Sequence, residues 1–211
     1  MLIKVCGLNN RDNIITISKM DIQLMGFIFY KGSPRYFNNA LSFNEVRQIP
    51  KTIKKVGVFV NEPVYSILNT VAHFDLDMVQ LHGEEPVKDC EQLLPFVKVI
   101  KTISIKDKAS LKSLSNYTSV CDHFLFDTAT ANYGGSGNSF NWNLLQEIKI
   151  TKPFFISGGI SPNNYNELAG LKLNNFIGID VNSKFEVTPG LKDIEKINLL
   201  LKQKHHASAN H

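Results

Sequence analysis

Short apolar runs recur along the chain, and most of them are continuous rather than alternating with polar positions. A continuous apolar run is typical of a strand that is buried on both faces of a parallel sheet. Eight runs of this kind predict strands at residues 2–5, 25–29, 56–60, 78–81, 97–102, 124–126, 154–156 and 176–179.

Helical patterns lie between the predicted strands. Ser42 is followed three residues later by Glu45, which predicts a capping box at the start of a helix. Pro63, Pro86 and Pro162 each stand where a helix opens, a position that proline tolerates well. The other predicted helices are 10–18, a segment opened by Asn141 or Trp142, the segment after Gly190 and, least regular, 106–116.

Strand-plus-helix units therefore repeat along the chain, with no linker-like stretch between them. This order predicts the α/β class and a single (β/α)8 TIM barrel over residues 1–203. Residues 204–211 are polar and contain histidines, and we expect them to form a disordered tail. An open doubly wound sheet is the alternative, but the segment after the first strand, Cys6-Gly7-Leu8-Asn9-Asn10, lacks its glycine fingerprint.

Composition narrows the function classes. The chain has a formal net charge of +4, but no stripe of Lys and Arg interleaved with aromatic residues, so we expect no nucleic-acid partner. Three widely spaced cysteines without a CxxC pair argue against a disulfide framework or a zinc site and favour reduced thiols. The sequence has no membrane-length apolar run and no signal peptide, which predicts a cytoplasmic protein without a membrane partner.

In a barrel of this kind, chemistry lies where the strands end, so the residues just after each strand are the candidates. Gly158 and Gly159 follow the seventh predicted strand and precede a predicted helix start, an arrangement that suits phosphate. Asp180, Asn182 and Ser183 end the next unit, and barrel enzymes often hold phosphate in these last two loops. The alternative is that the glycines only make a tight turn.

Two further strand ends offer an acid and a base. Cys6 ends the first predicted strand and Asp127 the sixth, so the two groups are expected to face each other across the barrel mouth. A nearby cation or helix N-terminus would lower the pKa of the thiol, and burial would raise that of the carboxyl group, so each could transfer a proton near neutral pH. The alternatives are a buried structural thiol at Cys6 and a helix cap or a surface carboxylate at Asp127.

Three other features follow strand ends. Arg35, behind Ser33-Pro34, suits a bidentate contact with a carboxylate, and its alternative is a surface salt bridge. His82, followed by Gly83, is expected to be a pocket donor, with a packing histidine as the alternative. The glycine-rich segment 131–139 predicts a lid over the site rather than a plain connector.

The order of these motifs resembles the phosphoribosylanthranilate isomerase family from Lys4 to Asp193. The matching segments are Lys4-Val5-Cys6-Gly7, Gly26-Phe27-Ile28-Phe29 with Ser33-Pro34-Arg35, Val56-Gly57-Val58-Phe59-Val60-Asn61, Val79-Gln80-Leu81-His82-Gly83, Asp127-Thr128 with Tyr133-Gly134-Gly135-Ser136-Gly137 and Phe140-Asn141-Trp142, and Gly178-Ile179-Asp180-Val181-Asn182-Ser183 with Glu186 and Pro189-Gly190-Leu191-Lys192-Asp193.

The resemblance implies an Amadori rearrangement of a small phosphorylated anthranilate substrate, with no cofactor and no metal. It implies that Asp127 is the general acid, that Cys6 is the general base and that Arg35 holds the anthranilate carboxylate. It assigns the phosphate to the residues Gly158, Gly159, Asn182 and Ser183, and it gives Asp180 a role in the loop or at the sugar. A monomer or a homodimer is expected.

Some positions depart from the family pattern. Asn141 stands where the family commonly has Asp, Asn182 where it has a second Ser, Lys184 where it has Gly, and Ser157 where it has a small apolar residue. The competing hypotheses are the related histidine-pathway isomerase, which uses two aspartates, a ribulose-phosphate epimerase, which needs metal ligands absent from these strand ends, and an inactive barrel that binds a phosphate ligand.

Overall fold

The computed structural model describes residues 1–38, 40–129 and 139–209, without the side chains of 207–209. Eight parallel strands close into a barrel in chain order, and β1 pairs with β8 to complete it. The predicted TIM barrel is confirmed. The strands are β1 Leu2–Val5, β2 Leu24–Ile28, β3 Lys54–Phe59, β4 Met78–Leu81, β5 Lys98–Ile105, β6 His123–Thr128, β7 Phe154–Ile156 and β8 Phe176–Val181.

Helices cover the outside of the barrel. They are α1 Arg11–Ile17, α2 Phe43–Arg47, α3 Val64–Phe74, α4 Val87–Leu93, α5 Leu114–Tyr117, α6 Tyr165–Ala169 and α7 Ile194–Ala209, with 3-10 turns at Lys108–Ser113, Trp142–Glu147 and Ser183–Phe185. The capping box predicted at Ser42 is confirmed, because its hydroxyl accepts from Glu45 N and the Glu45 carboxylate accepts from Ser42 N.

Three predicted helices differ from the structure. The segment opened by Asn141 forms a 3-10 turn, and the one after Pro162 forms turns before α6 begins at Tyr165. Gly190 lies in the turn of a short antiparallel hairpin rather than before a helix; the strands are β9 Glu186–Thr188 and β10 Leu191–Lys192. Gly190 has a φ of +88°, which suits the turn of a hairpin, and α7 therefore begins four residues later.

Alternate side chains of each strand point into the barrel, and they form two different layers. The lower layer is apolar and seals the barrel; its residues are Leu24, Val56, Met78, Ile100, Leu125 and Phe155. Polar side chains lie above it at the next inward positions, among them Lys4, Gln80, Asp127 and Asp180, all of which are buried. The carboxyl ends of the strands therefore open onto a polar floor.

The ends of the described ranges bear on two predictions. Helix α7 runs to Ala209, across the domain boundary predicted at residue 203, and Lys204 Nζ lies 3.1 Å from Asp21 Oδ2. The lid predicted over 131–139 lies outside the described residues except for Ser139. Among the helices of the described ranges, none is both long and apolar enough to cross a membrane.

Candidate active site

All nine residues singled out in the sequence line one pocket at the carboxyl ends of the barrel strands. They are Cys6, Arg35, His82, Asp127, Gly158, Gly159, Asp180, Asn182 and Ser183. Lys184, which departs from the family pattern, lines the same pocket. Strands on opposite sides of a barrel therefore bring together an acid, a thiol, a guanidinium and a glycine pair.

Cys6 lies directly after β1 and is only 3% exposed. Its backbone N–H donates to Val181 O, which anchors the strand end to β8. Gly26 on the neighbouring strand β2 makes room for the thiol, since a Cβ at that position would lie 2.6 Å from Cys6 Sγ. The sequence therefore places the thiol in a tight, dry slot at the edge of the pocket.

The electrostatic surroundings of Cys6 differ from what the sequence predicts. Burial raises the pKa of the thiol, and the nearby Asp180 carboxylate raises it further. The ammonium groups of Lys4 and Lys192 lower it, but their effect is smaller. The expectation that a nearby cation would bring the thiol pKa below its usual range is therefore wrong: cations are present, but burial outweighs them.

A buried ion pair lies beneath the thiol. Lys4 Nζ donates to Asp180 Oδ2 at 2.8 Å and to Gln80 Oε1 at 2.7 Å. Burial raises the pKa of Asp180, and Asp127 adds to the rise, while Lys4 opposes it. Oδ1 of Asp180 is also buried, and it has no hydrogen-bond partner among the described residues. A pocket-lining carboxylate oxygen is thus left open to a donor.

Asp127 ends β6 on the other side of the barrel from Cys6 and is 7% exposed. Its Oδ1 accepts from the backbone N–H of Thr128 at 2.9 Å. Its Oδ2 lies 3.4 Å from Nε2 of His82, at the end of β4. The predicted pocket histidine is therefore beside the predicted acid, and it is a pocket residue rather than a packing one.

Arg35 is held by a carboxylate of the protein itself. Its Nε lies 2.9 and 3.0 Å from the two carboxylate oxygens of Glu186, and its Nη2 lies 2.7 Å from Oε2. The pair is mostly buried, so the alternative of an exposed surface salt bridge does not apply. Nη1 has no hydrogen-bond partner in the part of the chain that the structure describes, and this corner of the guanidinium remains for a ligand.

Glu186 belongs to the hairpin that the sequence did not predict. Its Oε1 also accepts from Lys192 Nζ at 2.6 Å and from the backbone of Gly190 at 3.0 Å. The same ammonium donates to Asn182 Oδ1 at 2.6 Å. One buried carboxylate therefore links Arg35 with the loop that follows β8.

The glycine pair after β7 has the backbone that an anion site requires. Gly158 and Gly159 have φ values of +82° and +65°. A Cβ at Gly158 would collide with the Thr128 hydroxyl and lie 2.9 Å from Asp127 Oδ1, so the position requires glycine. The backbone N–H groups of both glycines have no acceptor among the described residues. The five-residue helix α6 begins only at Tyr165, so its dipole is farther away than the sequence implied.

Sequence reasoning missed Lys4 and Gln80 of the polar floor and, in the hairpin, Glu186 and Lys192. All four appeared in family motifs but not among the candidate site residues. The signal was available, because residues two apart on a strand share a face. Lys4 precedes Cys6 by two positions and Gln80 precedes His82 by two, so both had to point into the barrel. No comparable periodicity marks Lys192, which lies in the hairpin.

The chain matches a known protein family over nearly its whole length. The family model described as N-(5'phosphoribosyl)anthranilate (PRA) isomerase matches residues 3–203. The N-(5'-phosphoribosyl)anthranilate isomerase of Phocaeicola vulgatus is 41% identical over 96% of this chain and 97% of its own length.

Solved structures agree with the sequence match. The phosphoribosyl anthranilate isomerase of Thermotoga maritima has a TM-score of 0.84 at 32% identity, covering 98% of this chain and 100% of that one. A phosphoribosyl anthranilate isomerase solved with reduced 1-(o-carboxyphenylamino)-1-deoxyribulose 5-phosphate has a TM-score of 0.80 at 28% identity, over 98% and 100% of the two chains.

Proposed function

This chain belongs to the N-(5'-phosphoribosyl)anthranilate isomerase family. We propose that its pocket supplies the general acid, the general base and the two anion-binding groups of the family's reaction. The reaction is an Amadori rearrangement in tryptophan biosynthesis, which the family performs without a cofactor. It converts N-(5-phosphoribosyl)anthranilate to 1-(2-carboxyphenylamino)-1-deoxyribulose 5-phosphate. The observation that carries the assignment of roles is the convergence of all nine candidate residues on one pocket.

Asp127 acts as the general acid. Its carboxyl group gives its proton to the furanose ring oxygen while the bond between that oxygen and C1 breaks. The electrons of the anilino nitrogen form the C1–N double bond, which gives an open-chain Schiff base. The contacts from Thr128 N–H and His82 fix the orientation of the carboxyl group, as an acid aimed at one atom requires.

Cys6 acts as the general base. The thiolate removes the proton from C2, and the electron pair of that bond forms the C1–C2 double bond as the iminium nitrogen takes up its pair. The resulting enolamine becomes the ketone when C1 gains a proton and the C2 hydroxyl loses one. A thiol whose pKa is raised is a strong base once it is ionised.

The two anionic ends of the substrate bind on different sides of the pocket. The Nη1 corner of Arg35 binds the anthranilate carboxylate, since Nε and Nη2 contact Glu186. The backbone N–H groups of Gly158 and Gly159, with Asn182 and Ser183, bind the phosphate. Lys184 lies along the same pocket and adds a positive charge near this end.

Asp180 serves the sugar between the two ends. Its Oδ1 is a buried acceptor without a partner among the described residues, and its Oδ2 is held by Lys4. A ribose hydroxyl that donates to Oδ1 would satisfy this atom, because an unpaired buried acceptor costs about 1–3 kcal/mol.

The remaining expectations concern the compartment, the partners and the oligomeric state of the enzyme. We propose a cytoplasmic protein that acts as a monomer or a homodimer and binds neither nucleic acid nor membrane. The three free, buried cysteines are in keeping with a reducing compartment. Light scattering coupled to size-exclusion chromatography distinguishes the two oligomeric states directly.

The experiment that tests the function is turnover by the intact protein, followed as loss of the anthranilate fluorescence of the substrate. Saturable turnover supports the isomerase. Binding of the substrate without turnover would instead identify an inactive phosphate-ligand barrel, the competing hypothesis from a different functional class.

A further inference from the structure

A line of polar contacts crosses the barrel beneath the pocket, from β1 to β6. Lys4 Nζ donates to Gln80 Oε1 at 2.7 Å, and Gln80 Nε2 lies 2.9 Å from His82 Nδ1. On the far side of the ring, His82 Nε2 lies 3.4 Å from Asp127 Oδ2. The roles proposed above use the contact of His82 with Asp127 and that of Lys4 with Asp180, but they give no purpose to Gln80, which joins Lys4 to His82.

The first contact fixes the orientation of the Gln80 amide. An ammonium group can only donate hydrogen bonds, so the amide oxygen must face Lys4 and the NH2 group must face away from it. The two hydrogens of that NH2 group then have two acceptors, His82 Nδ1 and, at 3.2 Å, Thr102 Oγ1. The opposite orientation would set N–H groups against the ammonium.

The amide orientation in turn decides where His82 carries its proton. Nδ1 faces an N–H group of Gln80 and therefore has to be the acceptor nitrogen. The proton of the neutral ring is then on Nε2, which points at Asp127 Oδ2. The 3.4 Å distance is longer than a normal hydrogen bond, as is common in unliganded active sites.

Lys4 stays charged although it is completely buried. Burial alone would lower its pKa, but the Asp180 carboxylate and, to a smaller extent, negative charge on Cys6 more than compensate, so the pKa of Lys4 lies above its usual value. The groups that face His82 from the packed strands are Asp127 on β6, Gln80 on β4 and Thr102 on β5, and the Asp180 carboxylate on β8 also interacts with it electrostatically.

We propose that Lys4 and Gln80 are positioning residues that hold His82 in the Nε2–H tautomer and so aim an N–H group at Asp127 Oδ2. A proton on Nδ1 would instead face the Gln80 N–H. His82 therefore acts on Asp127 as a hydrogen-bond donor that orients the carboxyl group. This inference rests on the role of Asp127 proposed above.

The test is the substitution Gln80→Glu, which keeps the shape of the side chain and its contact with Lys4 but removes the N–H donor. A carboxylate accepts at Nδ1, so His82 is expected to carry a proton on Nδ1. The ring then either loses the N–H group that faces Asp127 or sets a positive charge beside the acid, and both changes weaken a general acid. In protein labelled with 15N-histidine, the Nδ1 resonance of wild-type His82 is expected at the shift of an unprotonated ring nitrogen and that of the variant at the shift of a protonated one. The His82→Asn spectrum assigns the signals.

Activity provides the second measurement. The variant is expected to lose kcat by about 10²-fold or more, the contribution of a general acid, with KM little changed. Thr102→Val is the matched control, because it removes the other polar group beside Nδ1 and leaves Gln80 fixed by Lys4. We expect the His82 resonances of this control to keep the wild-type pattern.

Three results would overturn the proposal. The first is a proton on Nδ1 of wild-type His82, which can be measured even if the Gln80→Glu variant does not fold. The second is a Gln80→Glu variant that folds and keeps both the wild-type ring pattern and the wild-type kcat. The third is a change of ring pattern in Thr102→Val. The resonances need no turnover, so a failure of the Asp127 assignment, seen as full activity in Asp127→Ala, is distinguishable from a failure here.

Discussion

At the scale of single residues, Cys6 experiences opposing influences. Burial and the Asp180 carboxylate make its thiolate costly, while Lys4 and Lys192 reduce that cost. The proposed base therefore exists mostly as a thiol at neutral pH. Arg35 shows a related compromise, since Glu186 fixes its orientation by occupying part of its hydrogen-bonding capacity.

The first residue-scale prediction concerns pH. Because the pKa of Cys6 lies above its ordinary value of 9.0, the thiolate fraction is expected to increase through the whole range from neutral to about pH 9. The ultraviolet absorbance of the thiolate should rise with it. A pH series of difference spectra between the intact protein and Cys6→Ala measures this directly, without a contribution from the acid. A thiolate signal that is already complete near pH 7 would contradict the raised pKa.

The second residue-scale prediction concerns Arg35 and the carboxylate end of the substrate. Arg35→Lys keeps the positive charge but loses the planar fork that contacts Glu186 and, in our proposal, the anthranilate carboxylate. We expect KM to rise by about tenfold, which corresponds to about 1.4 kcal/mol of binding free energy. Arg47→Lys is the control, because Arg47 packs over the Phe43 ring on α2, away from the pocket. An unchanged KM in Arg35→Lys would remove Arg35 from the site.

At the scale of secondary-structure elements, the strands position the chemistry by their alternation. Gly26 on β2 matters because of what stands beside it on β1: the space of its missing side chain is occupied by Cys6 Sγ. The hairpin β9–β10 contributes in a different way, through Glu186 and Lys192, whose buried charges join Arg35 to the loop after β8.

The element-scale prediction is that Gly26→Ala displaces the thiol. A methyl group 2.6 Å from Sγ cannot fit, so Cys6 must move out of its slot. We expect kcat to fall by about 10²-fold, because displacing a reacting group by about 1 Å can lower the rate by this factor. Circular dichroism and thermal melting check that the barrel is retained. Wild-type kcat in a folded variant would contradict the proposed position of the base.

The elements also set the limit of what the sequence predicts. Apolar runs located all eight strands, and strand ends located the candidate site, because both depend on local pattern. The sequence did not predict the hairpin, because Leu191 and Lys192 continue an apparent helical pattern that only the positive φ of Gly190 interrupts. The raised pKa of Cys6 was also not predicted, because the burial of its thiol depends on packing between β1, β2 and β8, which are distant in sequence.

At the scale of the whole molecule, the residues that seal the barrel are separate from those that form the polar floor of the pocket. The apolar layer that contains Leu125 and Phe155 closes the lower half, and the polar floor lies above it. His123 lies on the other side of this layer, two positions before Leu125 on β6, with its ring 6.0 Å from that of Phe155. Its Nδ1 is buried and has no partner among the described residues.

The prediction at this scale is a dependence of stability on pH. Burial lowers the pKa of His123 in the folded state, so as pH falls below about 6.5 the unfolded chain takes up the proton first. The free energy of unfolding should therefore decrease from about pH 6.5 down to the folded-state pKa, and the decrease should be shallower in His123→Asn. Urea unfolding at several pH values measures both curves. Parallel curves would show that His123 does not contribute.

The proposed reaction depends on one acid, Asp127, and one base, Cys6, that face each other across the barrel mouth. The most direct measurement is isomerase turnover, followed by the loss of anthranilate fluorescence, for the intact protein, Cys6→Ala and Asp127→Ala. We expect the intact protein to turn over and each variant to lose at least about 10²-fold in kcat, since each removes one proton transfer. A variant that folds and keeps its kcat within a few-fold of the intact protein would contradict the assignment.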